Sequence, residues 1–307
     1  MTPQFDRAAV VGIGLIGSSL ARALRSGGLA ARVAGFDLDP DVRKRALACG
    51  AVDETPETLA AALDGASLVI VSTPVGVMPA VLAAVAATAD EGALVIDVGS
   101  VKGAVVEAAS ALSPRVNIVP CHPVAGTEQS GPEAGFASLF DKRWAIITPL
   151  ARKDAPYLAA VEKAAALWRA VGSNVEFMDH EHHDLALAIT SHLPHLIAFT
   201  LVGAADDLES VAEAEIVKYS AGGFRDFTRI AASDPVMWRD VFLNNRAAVL
   251  EVLGRFSEEL ALLQRAIRWG DAETLERVFA RGRALRRAIV AAGQEKDVPN
   301  FGRDEKA

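Results

Sequence analysis

The sequence predicts an α/β domain built on a mostly parallel sheet, followed by an all-helical domain. Three observations predict it. Short β-branched runs alternate with alanine-rich stretches from residue 8 to about 178, a glycine-rich turn follows the first run, and no comparable run occurs from residue 179 onward.

The runs are "AAVVGIG", "RVAGFDL", "SLVIVSTP", "ALVIDVGS", "VNIVPCHP", "WAIITPL" and "NVEFMD". Apolar strands of this kind, spaced by helices, belong in a sheet covered on both faces. Residues 77–90 and 105–112 are expected as two of the covering helices. The direction of the last strands is left open.

The first run opens into "VVGIGLIGSSLARAL", where Gly12, Gly14 and Gly17 have G-x-G-x-x-G spacing between a strand and an amphipathic helix. Glycines at these places allow a tight turn, close approach of backbone to a pyrophosphate, and close helix–sheet packing. The helix N-terminus favours the anion. Leu15 and Ile16, between the second and third glycines, belong to the same Rossmann-type cofactor site. Asp37 ends the second strand about 20 residues on, where a carboxylate accepts from a ribose diol and repels a 2′-phosphate. NAD is therefore expected, with Arg43 and Lys44 keeping NADP in play. Thr73 and Pro74, at the end of "SLVIVSTP", are expected beside the nicotinamide ribose.

"VPCHPVAGTEQSG" places His122 directly before a proline, which favours extended backbone. His122 is expected to end a strand of the same sheet and to face the nicotinamide crevice. Imidazole titrates near neutrality and suits a base that removes a hydroxyl proton as hydride leaves. Ser100, in "DVGSVK", ends a neighbouring strand and can share that hydroxyl.

From residue 179 the pattern is helical, with Asp179 as N-cap and a last helical residue near 294. Breaks are expected at Gly222–Gly223 and at "ASDP", where Ser233 or Asp234 caps a helix opened by Pro235. The expected domains are residues 1–178, binding NAD, and 179–307, holding substrate and dimer contacts. Arg225 and Arg229, four apart, would share one helix face. Either guanidinium can fork onto a carboxylate, with Asp226 between them to orient one. His192 and His195 flank Pro194, which is expected to kink their helix. "DHEHHD" (179–184) reads as a polar helix start rather than a metal site, since no fourth ligand is evident.

Net charge is −8 and the pI near 5.3, against a nucleic-acid partner. Two cysteines, Cys49 and Cys121, are too few for a disulfide framework. The N-terminus lacks a signal-peptide plan, and charge is read as interrupting every long apolar stretch, so no membrane span is expected. The expected location is the cytoplasm.

Taken in order, "GIGLIGSSLARAL", "DVGSVK", "HPVAGTEQSG", "SHLPHLIAF" and "GGFRDFTRIAASDPVMWRD" resemble the prephenate/arogenate dehydrogenases of tyrosine biosynthesis, from about residue 8 to 250. The resemblance implies oxidative decarboxylation of prephenate or arogenate with hydride transfer to NAD or NADP. It implies His122 as base, Ser100 as its assistant, and Arg229 on a substrate carboxylate. His195, with Ser191 of the same motif, lines the pocket. Trp238 closes the site from the partner subunit of a homodimer formed through the helical domains. Thr127, Glu128 and Gln129 follow the catalytic histidine and are placed to meet the substrate side chain. A chorismate mutase before residue 8 and a C-terminal ACT domain are not expected. The nearest rival is a reductase of the β-hydroxyacid dehydrogenase or imine reductase kind, for which Lys218 would be the proton donor. A dinucleotide-sensing regulator is the rival from another class.

Overall fold

The computed structural model describes residues 3–127, 129–206 and 222–291. Five parallel strands form the first sheet: β1 (Phe5–Val11), β2 (Ala30–Phe36), β3 (Leu68–Val71), β4 (Leu94–Asp97) and β5 (Asn117–Val119). Their order is β2-β1-β3-β4-β5, so the chain reverses its direction of growth after β2. β3 and β4 are buried at every residue, which is why their sequences show no polar alternation. The helices on the sheet are α1 (Leu15–Ser26), α2 (Pro40–Ala48), α3 (Leu59–Leu63), α4 (Met78–Thr88), α5 (Gly103–Ser110) and α6 (Ala155–Ala170). Helix α5 starts two residues ahead of the expected 105. A carboxylate from far along the chain explains this: Asp184 accepts the Lys102 and Gly103 amides, each at 2.8 Å.

The run "VNIVPCHP" corrects the single-sheet reading. It forms two strands, because Pro120 has no N–H with which to continue the ladder to β4. After Pro120, Cys121–Pro123 becomes β6 of a second sheet, with β7 (Trp144–Ile147) and β8 (Asn174–Phe177). β6 runs antiparallel to β7 and β7 parallel to β8. His122 thus lies within β6, opposite Ile146, and does not end a strand of the first sheet.

Past residue 178 the described chain is helical. Helix α7 (His180–Leu187) is capped by Asp179, whose carboxylate accepts the His182 amide. It continues through a π-helical turn, Ala188–His192, into α8 (Leu193–Asp206). Pro194 lacks an N–H and would crowd the carbonyl four residues back. The widened turn, closed by Leu193 N–H to the Ala188 carbonyl, relieves this where a kink was expected. Then come α9 (Gly222–Thr228), a 3-10 turn (Arg229–Ala232), α10 (Pro235–Asn244), α11 (Arg246–Trp269) and α12 (Ala272–Ala291). Of the two cap candidates, Asp234 takes the role, accepting the Met237 amide at 2.8 Å.

The charge reading also needs correction. Residues 185–205 hold no Asp, Glu, Lys or Arg, and His180–Ala205 is long and apolar enough to cross a membrane by length and composition. The polar start of this helix, however, is bonded to the α/β core through Asp184. By compactness the described chain divides at residue 249: the sheets and α1–α10 lie before it, and a second unit begins at residue 250, within α11. In that unit α11 and α12 are joined at Gly270, whose φ of 66° is the left-handed C-cap glycine favours. Arg281 binds Glu259 across the two helices at 2.8 Å.

Candidate active site

The loop after β1 has the shape that a pyrophosphate needs. A Cβ at Gly12 would lie 2.4 Å from the Ser72 carbonyl oxygen, and one at Gly17 would lie 2.1 Å from the Gly12 carbonyl oxygen. At Gly14 a Cβ would meet nothing within 4 Å. The loop is packed on two sides and open on the third, where Gly14 caps α1 without any side-chain bond. Its first amides remain available to an anion. Leu15 and Ile16 form the first turn and pack, half-buried, against the core.

Asp37 is oriented by this loop. Its carboxylate accepts the Ile13 amide and the Asp39 amide, each at 3.1 Å. Arg43 donates to the Asp37 backbone oxygen at 2.5 Å, and Lys44 pairs with Asp41. Both cations that kept NADP in play are engaged in local contacts. These residues fit NAD.

His122 stands at the centre of a buried polar chain. Its Nδ1 lies 2.8 Å from His183 Nε2, and His183 Nδ1 lies 2.8 Å from Asp184 Oδ1. His122 is 7% exposed and His183 fully buried. Burial, with the nearby charges of His183, Lys102 and His192, holds the His122 imidazole well below its usual titration range. Burial lowers His183 as well, against the pull of Asp184. Both rings are neutral at pH 7. Burial raises the Asp184 carboxyl, but the bonds from His183 and the two amides outweigh it and leave the group below its usual range.

A second buried pair fixes the strand that carries His122. The Lys102 ammonium binds Asp97 and donates to the Cys121 carbonyl at 2.6 Å. Asp97 also accepts the Cys121 amide at 3.0 Å and the Gly99 amide at 2.9 Å. Cys121 is thereby held by its backbone, and burial pushes its thiol up to about 12, so it is no nucleophile.

On the helical side His195 stacks on Trp238 with ring centroids 3.6 Å apart. Its Nδ1 donates to the Ser191 carbonyl at 2.9 Å. Burial lowers His195, the bond to Ser191 opposes this, and the charge of Arg229 lowers it further. Trp238 was expected to arrive from a partner subunit. It is instead buried in its own chain, with Val75, Val101 and Val241. His192 is 1% exposed and accepts from Asn245 Nδ2 at Nδ1. Thr73 Oγ1, His192 Nε2 and Trp238 Nε1 are buried without a partner among the described residues. Such atoms are costly unless a ligand or water meets them.

Other candidates lie further out. Ser100 is half-buried, and Pro74 is exposed beside Thr73. Thr127 is exposed and accepts the Gln129 amide at 3.2 Å. Arg225 and Arg229 do not share one α-helix: α9 stops at Thr228, and Arg229 opens the 3-10 turn. Arg225 has a 71% exposed side chain, 3.9 Å from Asp226. Glu128, Lys218 and the chain beyond residue 291 lie outside the described residues. Among the described residues no group of three His, Cys, Asp or Glu side chains is arranged to hold a metal. The sequence reading missed His183, Asp184, Lys102 and Asp97 as members of the site. Nothing in "DHEHHD" or "DVGSVK" marks which of their polar residues turn inward.

Comparison with known proteins decides the family. The model for "Prephenate dehydrogenase, nucleotide-binding domain" matches residues 20–177, and that for "Prephenate dehydrogenase, dimerization domain" matches residues 179–281. The chain belongs to the prephenate dehydrogenase family. The first match starts past the three glycines, whose role therefore rests on the geometry of the loop. Cyclohexadienyl dehydrogenase of Zymomonas mobilis is 40% identical over 93% of this chain and 96% of its own. The crystal structure of Aquifex aeolicus prephenate dehydrogenase, in complex with hydroxyphenyl propionate and NAD+, has a TM-score of 0.83 at 33% identity. That match covers 93% of this chain and 98% of the other. Synechocystis arogenate dehydrogenase has a TM-score of 0.74 at 27% identity, over 92% and 99%. As a prephenate dehydrogenase family member, the chain is an oxidoreductase that uses NAD.

Proposed function

We propose that the protein converts prephenate, arogenate or both to 4-hydroxyphenylpyruvate or tyrosine, with His122 as base. The observation that carries this reading is a neutral, buried imidazole beside the cofactor domain's strand ends. Bound NAD supplies the hydride acceptor. As hydride leaves C4 of the ring, His122 takes the C4 hydroxyl proton, and Ser100 shares that hydroxyl. The ketone so formed draws in the electrons of the breaking C1–carboxylate bond, and carbon dioxide departs. The new phenolate recovers its proton from His122, so acid and base balance within one turnover. Aromatisation drives the step.

Arg229 is assigned to a substrate carboxylate, since its charge reaches His195. Arg225, with a 71% exposed side chain, takes a supporting part. The stacked His195–Trp238 pair walls the ring, with the Ser191 carbonyl orienting His195. Thr127 meets the substrate side chain, and Thr73 and Pro74 border the nicotinamide ribose. Residues 1–178 hold NAD, and residues 179–307 hold substrate and the second copy of a homodimer. Exposed apolar residues on α11 and α12, among them Ile267, Trp269, Phe279 and Leu285, support a second copy there. The place of action is the cytoplasm.

The test is NADH formation at 340 nm with prephenate and with arogenate, each with NAD and with NADP. His122→Asn is expected to lower kcat by about 10²–10⁴-fold, with NAD binding intact by fluorescence titration. Full activity in the variant would move the base elsewhere, and no activity of the native chain on either ring would overturn the reaction.

A further inference from the structure

The chain of buried bonds from Asp184 to His122 has a direction that its chemistry fixes. Asp184 accepts the Lys102 amide on Oδ1 and the Gly103 amide on Oδ2. Amides only donate, so both carboxylate oxygens act as acceptors, and the group is held ionised. An ionised carboxylate has no proton to give. His183 Nδ1, 2.8 Å from Oδ1, must therefore be the protonated nitrogen. In a neutral imidazole the other nitrogen is then bare, so His183 Nε2 accepts. His122 Nδ1, 2.8 Å away, must donate to it. His122 Nε2 is left with a free lone pair.

From this order we infer that Asp184 and His183 set the tautomer of His122 and present Nε2 as the atom that takes the substrate's proton. This inference rests on His122 being the base of the reaction proposed above. His183 is a positioning residue: it touches neither substrate nor cofactor and acts through His122. The arrangement follows the logic of a base oriented by a third group, extended by one ring. Without His183 the isolated imidazole is free to carry its proton on Nε2, which leaves no lone pair toward the substrate. When Nε2 takes a proton, the imidazolium Nδ1–H bonds more strongly to His183, and the Asp184 carboxylate supplies the opposing charge two bonds away. The proton is thereby accepted inside a dry site without an unpaired cation.

The same geometry explains the cross-strand position of His122. Its backbone is fixed on one side by β7, opposite Ile146. Its neighbour Cys121 is fixed by Asp97 and Lys102. Its ring is fixed by His183, which meets it edge-on with centroids 5.0 Å apart. A base held at three points loses little freedom when it acts.

Two variants and one spectrum test this. His183→Leu removes the acceptor and is expected to lower kcat about 10²-fold or more, as loss of a tautomer-setting partner does in other enzymes. KM and NAD affinity are expected to stay within about threefold of native. His183→Gln places an amide oxygen near the Nε2 position, and is expected to recover at least tenfold of that loss. Nitrogen-15 spectra of histidine-labelled native protein, without substrate, are expected to show His122 as the Nδ1–H form, and His183→Leu as a mixture of forms. A native His122 in the Nε2–H form overturns the inference whatever the activity. So does His183→Leu with native kcat, or a Gln variant no better than Leu. Should His183→Leu fail to fold, the native spectrum and the Gln variant's kcat against KM decide it. Inactivity of the native enzyme on both rings, with the expected spectrum, would overturn the reaction and leave the tautomer assignment standing.

Discussion

Lys102 has no exposed surface, and its ammonium meets an Asp97 carboxylate that is equally buried. Such a pair adds little net stability, but removing one partner strands the other in a medium that cannot solvate it. Lys102→Met is therefore expected to cost about 3–5 kcal/mol of folding stability. The loss would be read as a lowered urea midpoint, and an unchanged midpoint would mean that Asp97 is protonated or hydrated. The lysine also holds the Cys121 carbonyl, so its loss frees the residue next to His122. At this scale the sequence was half legible. His122, Asp37 and the glycines could be singled out because each stands in a motif that its neighbours announce. His183 and Asp184 could not, since a polar helix start looks the same whether its first turn faces water or a buried ring. Only the packing of α7 on the start of α5 turns them inward.

Among the elements, the glycine loop makes the sharpest distinction. Gly14 and Gly17 fit the same motif, yet a methyl at Gly17 strikes the Gly12 carbonyl while one at Gly14 enters open space. Gly14→Ala is expected to unfold within about 0.5 kcal/mol of native and to lose NAD affinity, because the methyl occupies the approach of the pyrophosphate. Gly17→Ala is expected to lose both, with a stability cost of about 1–3 kcal/mol from overpacking. Thermal melts with and without NAD separate the two; equal stability losses would refute the distinction. Strand periodicity placed all seven apolar runs, but could not show that one of them serves two sheets. That change is caused by a single missing amide at Pro120, which hydrophobicity does not record. The π turn before Pro194 was hidden for a similar reason: proline signals a broken ladder, not the manner of its repair.

Over the whole molecule, the four histidines near the site share one response to acid. Burial lowers His122, His183 and His195, and it pushes His192 down to about 4. The unfolded chain binds protons on these rings below about pH 6.5, where the folded chain refuses them. Stability is then fully present above that pH and is lost as pH falls toward the folded values. Urea midpoints are expected to drop between pH 7 and pH 5, and a flat profile would mean that the rings are already wet. The division into a nucleotide-binding part and a helical part was legible from the end of the strand pattern. The compact unit ending at residue 249 was not, because it depends on which helices pack on the sheets. One contact links distant chain segments there: Asp184 holds the amides of Lys102 and Gly103. Those two amide hydrogens can trade with solvent deuterium only when the carboxylate lets go. Their exchange rates thus time how often the buried chain from Asp184 to His122 comes apart, one opening at a time, in an enzyme at rest.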